Sequence, residues 1–288
     1  MEKLIFENSF GEKITMTDKF PFFLEEYDGI HEKTSELYGV SSAFGVGELY
    51  IGRSINKRNI TITGIFKDKF IERRQFLYNV FPDDTEGTLY YYEKGFSAKI
   101  KCRVEKLDII EGNAIKRFVV SLVAFNPFFE EIEEHILSLT AWEKKLSFPL
   151  IIPKNGLKVG IKAENTIASI NNPTKIEAGL KIVFKAGGIV INPTLKNISN
   201  NEELSLDFEM KADDKIIITT AINDKNVLLE RDGEITNINN YLKIGTKYLQ
   251  IKPGQNYFKV SAKEGTKNLI VEISYSLSYE AIWWNGMQ

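Results

Sequence analysis

The sequence predicts a mainly β protein made of two β-rich blocks, the first carrying one helix and the second forming an antiparallel β-sandwich. Three observations predict it. Short apolar or alternating runs, punctuated by turn signals, recur along the chain. A clear helical spacing interrupts them at Phe70, Leu77 and Phe81. Pro127 then stops a strongly apolar stretch a little before the middle of the 288 residues, where a central strand cannot continue.

In chain order, Lys3–Glu7 and Lys13–Met16 read as strands separated by the turn-rich Asn8-Ser9-Phe10-Gly11. Phe20–Leu24 is apolar but broken by Pro21, and residues 28–47, rich in Gly and Ser, read as a long loop or irregular hairpin. Leu49–Ile51 and Asn59–Phe66 are strands, the second rich in Ile and Thr, which suit a pleated surface. An amphipathic helix is expected over Lys67–Asn79, packed across a sheet and ended by Phe81-Pro82-Asp83-Asp84. Thr88–Tyr92 is the next strand. Lys99–Glu105 alternates, with Ile100, Cys102 and Val104 in the apolar phase. Lys116–Phe125 is read as a strand buried on both faces that closes the block at Asn126-Pro127-Phe128-Phe129.

The acidic run Glu130–Glu134 opens a connector, residues 131–147, that fits a short helix or an extended segment equally well. From residue 148 to 288 the chain reads as strands and turns. Leu180–Lys185, Leu204–Lys211, Lys215–Ala221, Tyr257–Ala262 and Leu269–Tyr279 are the expected strands, and Asn171-Asn172-Pro173 and Ala186-Gly187-Gly188 the strongest turns. Short strands at regular spacing without intervening helices indicate an antiparallel sandwich.

Composition narrows the function. The chain is 43% hydrophobic and 26% charged with a net charge of −2, so no global basic field draws it to nucleic acid or an anionic membrane. The single Cys102 excludes an intrachain disulfide framework and argues against a cysteine zinc site; it reads as a small buried hydrophobe. No apolar run is long enough to suggest a membrane span. The first residues lack the apolar core of a signal peptide, so synthesis and assembly in the cytoplasm are expected.

A catalytic constellation is not found. Gly47-Glu48-Leu49-Tyr50-Ile51-Gly52-Arg53-Ser54 has Arg53 where a phosphate loop needs lysine, and its interior reads as a strand. The carboxylate doublets, Asp213-Asp214 at an expected hairpin tip among them, are adjacent residues that point opposite ways on a strand. They read as solvated turns. His31 and His135 have no metal-ligand spacing, and no cofactor or metal is expected. Arg53, Lys57, Arg58, Arg73 and Arg74 form a modest basic cluster. Arg73 and Arg74, on the helix, are candidate interface residues. So are Trp283 and Trp284, past the last strand, since exposed aromatics bind sugars or protein partners.

Taken in order, several stretches resemble the siphovirus-type distal tail protein family, found in phages, prophages and phage-tail-like particles. They are the Arg73-Arg74 helix after a strand, the closing strand that runs into Asn126-Pro127-Phe128-Phe129, Leu146-Ser147-Phe148-Pro149-Leu150, and Gly188–Leu195. Asn239-Asn240-Tyr241-Leu242, Leu249–Asn256 and the final Tyr-rich strand follow. Asn126 departs mildly from the more familiar acid before Pro127. The resemblance implies a split-barrel or β-sheet N-terminal domain with one helix over residues 1–130, six copies of which form a ring joining tail tube to tip. It implies a galectin- or carbohydrate-binding-module-like sandwich over 148–288. It also implies a structural protein rather than an enzyme, placed in the virion or a tail-like particle. The implied partners are other copies of itself, the tail tube and tape-measure proteins, a tail lysin, fibre or other baseplate protein, and DNA in passage through the lumen. Host cell-wall glycan, bound by the sandwich through Trp283 and Trp284, is the alternative role.

Overall fold

The computed structural model describes residues 2–32, 35–41, 45–110, 112, 115–139, 142–144, 160–162, 167–222 and 224–282. By its contacts the chain divides into two compact units. Unit 1 is Met1–Ile132 together with the chain from Ser278 on, and unit 2 is Glu133–Leu277.

Unit 1 contains β1 (Lys3–Asn8), β2 (Lys13–Thr17), β3 (Phe23–Asp28), β4 (Glu36–Ser41), β5 (Glu48–Ser54), β6 (Arg58–Phe66), the helix α1 (Phe70–Val80), β7 (Glu86–Glu93), β8 (Phe96–Ile110), β9 (Lys116–Ala124) and β10 (Phe129–Glu131). Strand β8 explains the architecture. Its 15 residues pair with β7 along the first half and with β9 along the second, with a register shift between Val104 and Lys106. The run β8-β7-β1-β2-β3-β6-β9 therefore returns to β8 and closes a barrel, the β2–β3 join being a single parallel pair, Thr17 with Phe23. Alternate residues point inward, as the burial of Leu4 and Phe6 on β1, Ile60 and Ile62 on β6, and Phe118 and Val120 on β9 shows.

Helix α1 adds Leu77 and Val80 to this core. It begins three residues later than the expected Lys67 because Asp68 and Lys69 take left-handed backbone angles, φ 59° and 44°. At its far end the buried Asn8 side chain donates to the carbonyls of Asn79 and Val80, both at 3.2 Å, satisfying acceptors that a helix end leaves open. Phe81, expected to end the helical stripe, lies just beyond the helix and stacks on Phe6 with centroids 4.9 Å apart.

Unit 2 contains β11 (His135–Ser138), β12 (Trp142–Lys144), β13 (Gly160–Lys162), β14 (Ile167–Asn172), β15 (Lys181–Ala186), β16 (Val190–Ile191), β17 (Thr194–Asn197), β18 (Glu202–Ser205), β19 (Glu209–Met210), β20 (Lys215–Ala221), β21 (Asp224–Arg231), β22 (Glu234–Asn237), β23 (Gly254–Ser261) and β24 (Leu269–Tyr275). Two antiparallel sheets, β11-β24-β15-β20-β21-β22 and β14-β23-β17-β18, make the expected sandwich. The first buries Phe184, Ile218 and Ile273, the second Leu195, Leu204 and Phe258. Two buried asparagines hold loops between the strands. Asn256 accepts from the Asn197 amide at 3.0 Å, and Asn172 donates to the carbonyls of Ile176 and Ile251 at 2.8 and 3.2 Å. The final strand, β25 (Ser278–Tyr279), belongs to unit 1, where it pairs with β10.

Several expectations are corrected. The divisions 1–130, 131–147 and 148–288 give way to a unit 2 that starts at Glu133 and is inserted, because the last strand returns to pair beside β10. Leu269–Tyr279 is thus two strands in two units. Leu204–Lys211 is also two, β18 and β19, parted at Leu206, which makes an isolated bridge to Leu242. Strand β9 is buried on both faces only over Leu122–Ala124, and Phe125 points to solvent. Asp214 is buried rather than solvated. Its carboxylate accepts from the Lys211 amide at 2.7 Å and from two Arg231 nitrogens at 2.8 and 2.5 Å.

Candidate functional site

Residues 28–47, read as a loop or irregular hairpin, contribute one strand of a true hairpin, β4–β5. Among the described residues these two strands pair only with each other. Every residue of β4 is exposed, and on the hairpin Leu37 (69%), Tyr38, Val40, Leu49 (73%), Tyr50 and Ile51 all face solvent. A two-stranded hairpin without a third element is at best marginal in water, and a contiguous apolar surface of this kind marks an interaction site. Residues directly opposite in an antiparallel pair share a face. Tyr38, Val40 and Leu49 therefore lie together, with Glu36 and Ser54, and the Tyr38 hydroxyl is 2.9 Å from both of those side chains. Leu37 and Tyr50 lie on the other face. The near-phosphate-loop sequence is β5 itself, a strand, and its Arg53 pairs with Glu280 at 3.6 Å.

The base of the hairpin is fastened by Arg58, which the sequence placed in a surface basic cluster. Its side chain is buried, 5% exposed. The guanidinium donates to four backbone carbonyls: Gly29 at 2.6 Å, Glu32 at 2.9 Å, Pro127 at 2.8 Å, and Glu280. It also lies over the Phe129 ring, 5.1 Å from the centroid. Burial lowers its pKa, and the charges of Glu32 and Glu280 oppose that. One side chain thus joins the turn before the hairpin, the Pro127 exit and the returning chain. Gly29 sits at φ 80° against the Asn59 carbonyl, where a side chain has no room.

Beside this clamp lies a polar network. The Tyr27 hydroxyl donates to Glu2 and meets His31 Nε2 at 3.0 Å, while His31 Nδ1 meets the Ile282 carbonyl at 2.9 Å. The Tyr91 hydroxyl is 2.9 Å from both Glu2 and Glu93. Burial, then the hydrogen bond to Glu2, pushes Tyr27 up to about 12, and burial likewise raises Tyr91. These groups anchor the returning chain and are not arranged around a reacting atom.

Of the sequence-derived interface residues, Arg73 turns onto backbone, donating to the carbonyl of Lys67 and, at 3.5 Å, to that of Pro21. Arg74 sits half-buried on the outward side of α1. Trp283 and Trp284 lie outside the described residues. Cys102 is buried, and desolvation pushes its thiol up to about 12. Among the described residues no group of three His, Cys, Asp or Glu side chains could hold a metal, and no helix is long and apolar enough to cross a membrane. A surface depression of about 360 Å³ is lined in part by Lys57, Asp84 and Arg103, of which Arg103 donates to the Asp84 carboxylate at 3.1 Å.

Residues 174–279 match the family of the siphovirus-type tail component, C-terminal domain. The fold matches the crystal structure of the SPP1 Dit (gp 19.1) protein, a hub adsorption apparatus of phages infecting Gram-positive hosts. That match has a TM-score of 0.71 at 12% identity over 97% of this chain and 99% of the other. It also matches chains of the phage P2 baseplate in its activated conformation with Ca and with Sr. There the TM-scores are 0.55 and 0.53, each at 12% identity over 98% of this chain and 100% of the other. No curated protein sequence matches. The resemblance drawn from the sequence thus holds in the C-terminal sequence and in the fold of nearly the whole chain.

Proposed function

We propose that this chain, with the fold of a phage tail hub protein, is a non-catalytic structural component of a tail tip or baseplate. In this reading unit 1 closes into a hexameric ring that joins the tail tube to the tip or adhesion device. The observation that carries self-association is the β4–β5 hairpin, whose apolar side chains have no cover within the described chain. Burying a side chain such as Leu49 stabilises an interface by about 1.5–3 kcal/mol, so several together are a sufficient drive. The tail component match and the hub fold support the rest. The proposed partners are further copies of the chain, the tube and tape-measure proteins, and a lysin or fibre, with DNA passing through the lumen of the particle.

Native mass spectrometry of the purified chain at high concentration, together with immunolabelling of tail preparations, tests this. The expected result is a six-copy species and label at the tail tip. A chain that stays monomeric at every concentration and is missing from tails overturns it.

A further inference from the structure

A closed ring needs two different surfaces on each copy, since every contact is head-to-tail. The hairpin supplies one; α1 supplies the other. Its inward side carries Leu77 and Val80, yet its outward side carries Ile71, 76% exposed, and Tyr78, 50% exposed. Residues seven apart lie on one helical face, so these two form a second apolar stripe. Two large apolar side chains left open on the outward side, beside Arg74, give a partner a place to pack, while unit 1 covers only the inward side. Of the other exposed apolar residues of unit 1, Phe76 on α1 stacks on Phe22, with ring centroids 5.4 Å apart, and Phe10, Ile110, Ile115 and Phe125 lie at turns and strand ends, where exposed apolar residues are ordinary.

We propose that in the assembled ring the Tyr38–Val40–Leu49 face of the hairpin of one copy lies along the Ile71–Arg74–Tyr78 face of α1 of the next. The proposal rests on the ring reading above. Charge fits it. Glu36 is the acidic residue on that hairpin face, and Arg74 stands between Ile71 and Tyr78 on the helix. Length fits as well. Strands of six and seven residues run about 20 Å and a helix of 11 residues about 16 Å, so one hairpin spans the helix. The partner is therefore a second copy of this chain.

The test is a Val40→Cys, Ile71→Cys double variant of the full chain treated with a short bismaleimide. The buried Cys102 leaves the background clean. The expected product is a covalent ladder up to six copies, whereas a mixture of the two single variants stops at dimers. In parallel, Arg74→Glu should lower the assembled fraction at least tenfold, and adding Glu36→Arg should restore it. If native mass spectrometry shows the ring but neither cross-links nor charge reversal respond, this pairing is overturned while the ring stands. Capture of a tube or tip protein by Ile71→Cys in assembled tails also overturns it. A chain that never assembles overturns both.

Discussion

Arg58 shows what one residue can organise. Its four carbonyl partners are drawn from residues 29, 32, 127 and 280, and an unmet buried acceptor costs about 1–3 kcal/mol. Arg58→Met should therefore lower unfolding stability by about 3 kcal/mol or more, read as a lower denaturant midpoint at unchanged slope. Arg58→Lys should recover little, because a compact ammonium lacks the fork that reaches several carbonyls at once. Asp214 offers a pH test. Its pKa is held below the ordinary carboxylate value, first by the hydrogen bonds from Arg231. A depressed folded pKa gives stability that is present above the unfolded value near 4 and is lost as pH falls through the folded one. Asp214→Asn should thus cost about 1–3 kcal/mol at pH 7, and thermal melts should show the gap to the parent narrowing below about pH 4. Neither role was legible in sequence. Arg58 and Asp214 look like other surface charges there, because composition says nothing of the backbone each will meet.

At the scale of elements, periodicity carried most of the reading. The alternation in Lys99–Glu105 located part of β8, and the spacing of Phe70 and Leu77 located α1. What it missed is where pairing partners change. The second half of β8, Leu107–Ile110, is only partly buried or exposed, so its alternation is weak although it closes the barrel onto β9. The hairpin was half hidden for a related reason. With both faces exposed, β4 has no polar–apolar contrast to mark it, and its Gly and Ser read as loop. Because β4–β5 pairs only with itself among the described residues, replacing Glu36–Ser54 by a short Gly-Ser turn should leave the barrel folded. Its thermal midpoint should fall by only a few degrees, while assembly is abolished. A collapse of the far-UV circular dichroism on this replacement would mean that the hairpin supports the barrel after all. Lys69 gives a smaller prediction. A left-handed backbone costs a residue with a β-carbon about 1–2 kcal/mol, so Lys69→Gly should raise stability by about 1 kcal/mol in a urea titration.

For the whole molecule, the two-block organisation and the stop at Pro127 were visible in the residues, but the return of the chain was not. The alternation of Leu269–Tyr279 runs straight through the boundary, because Tyr275 and Tyr279 are both partly buried, each within a different unit. Strands β10 and β25 pair antiparallel, with Glu130 opposite Ser278, so the chain leaves and re-enters unit 1 at neighbouring points. Removing Glu133–Leu277 and joining the ends by a short turn should therefore leave unit 1 able to fold. Its amide exchange protection in β6 and β9 should match that of the full chain within about tenfold.

The Arg58 clamp also sets an order of events during synthesis. Three of its four carbonyl partners emerge from the ribosome early, but the fourth, Glu280, follows the whole of Glu133–Leu277. The barrel can therefore take shape while unit 2 is still being made, yet its arginine is fully satisfied only after the return strand arrives. Since that arginine fastens the base of the hairpin, a chain interrupted within unit 2 carries a loosened hairpin. Under the proposed hairpin-mediated assembly, incomplete copies would therefore lack a finished docking arm.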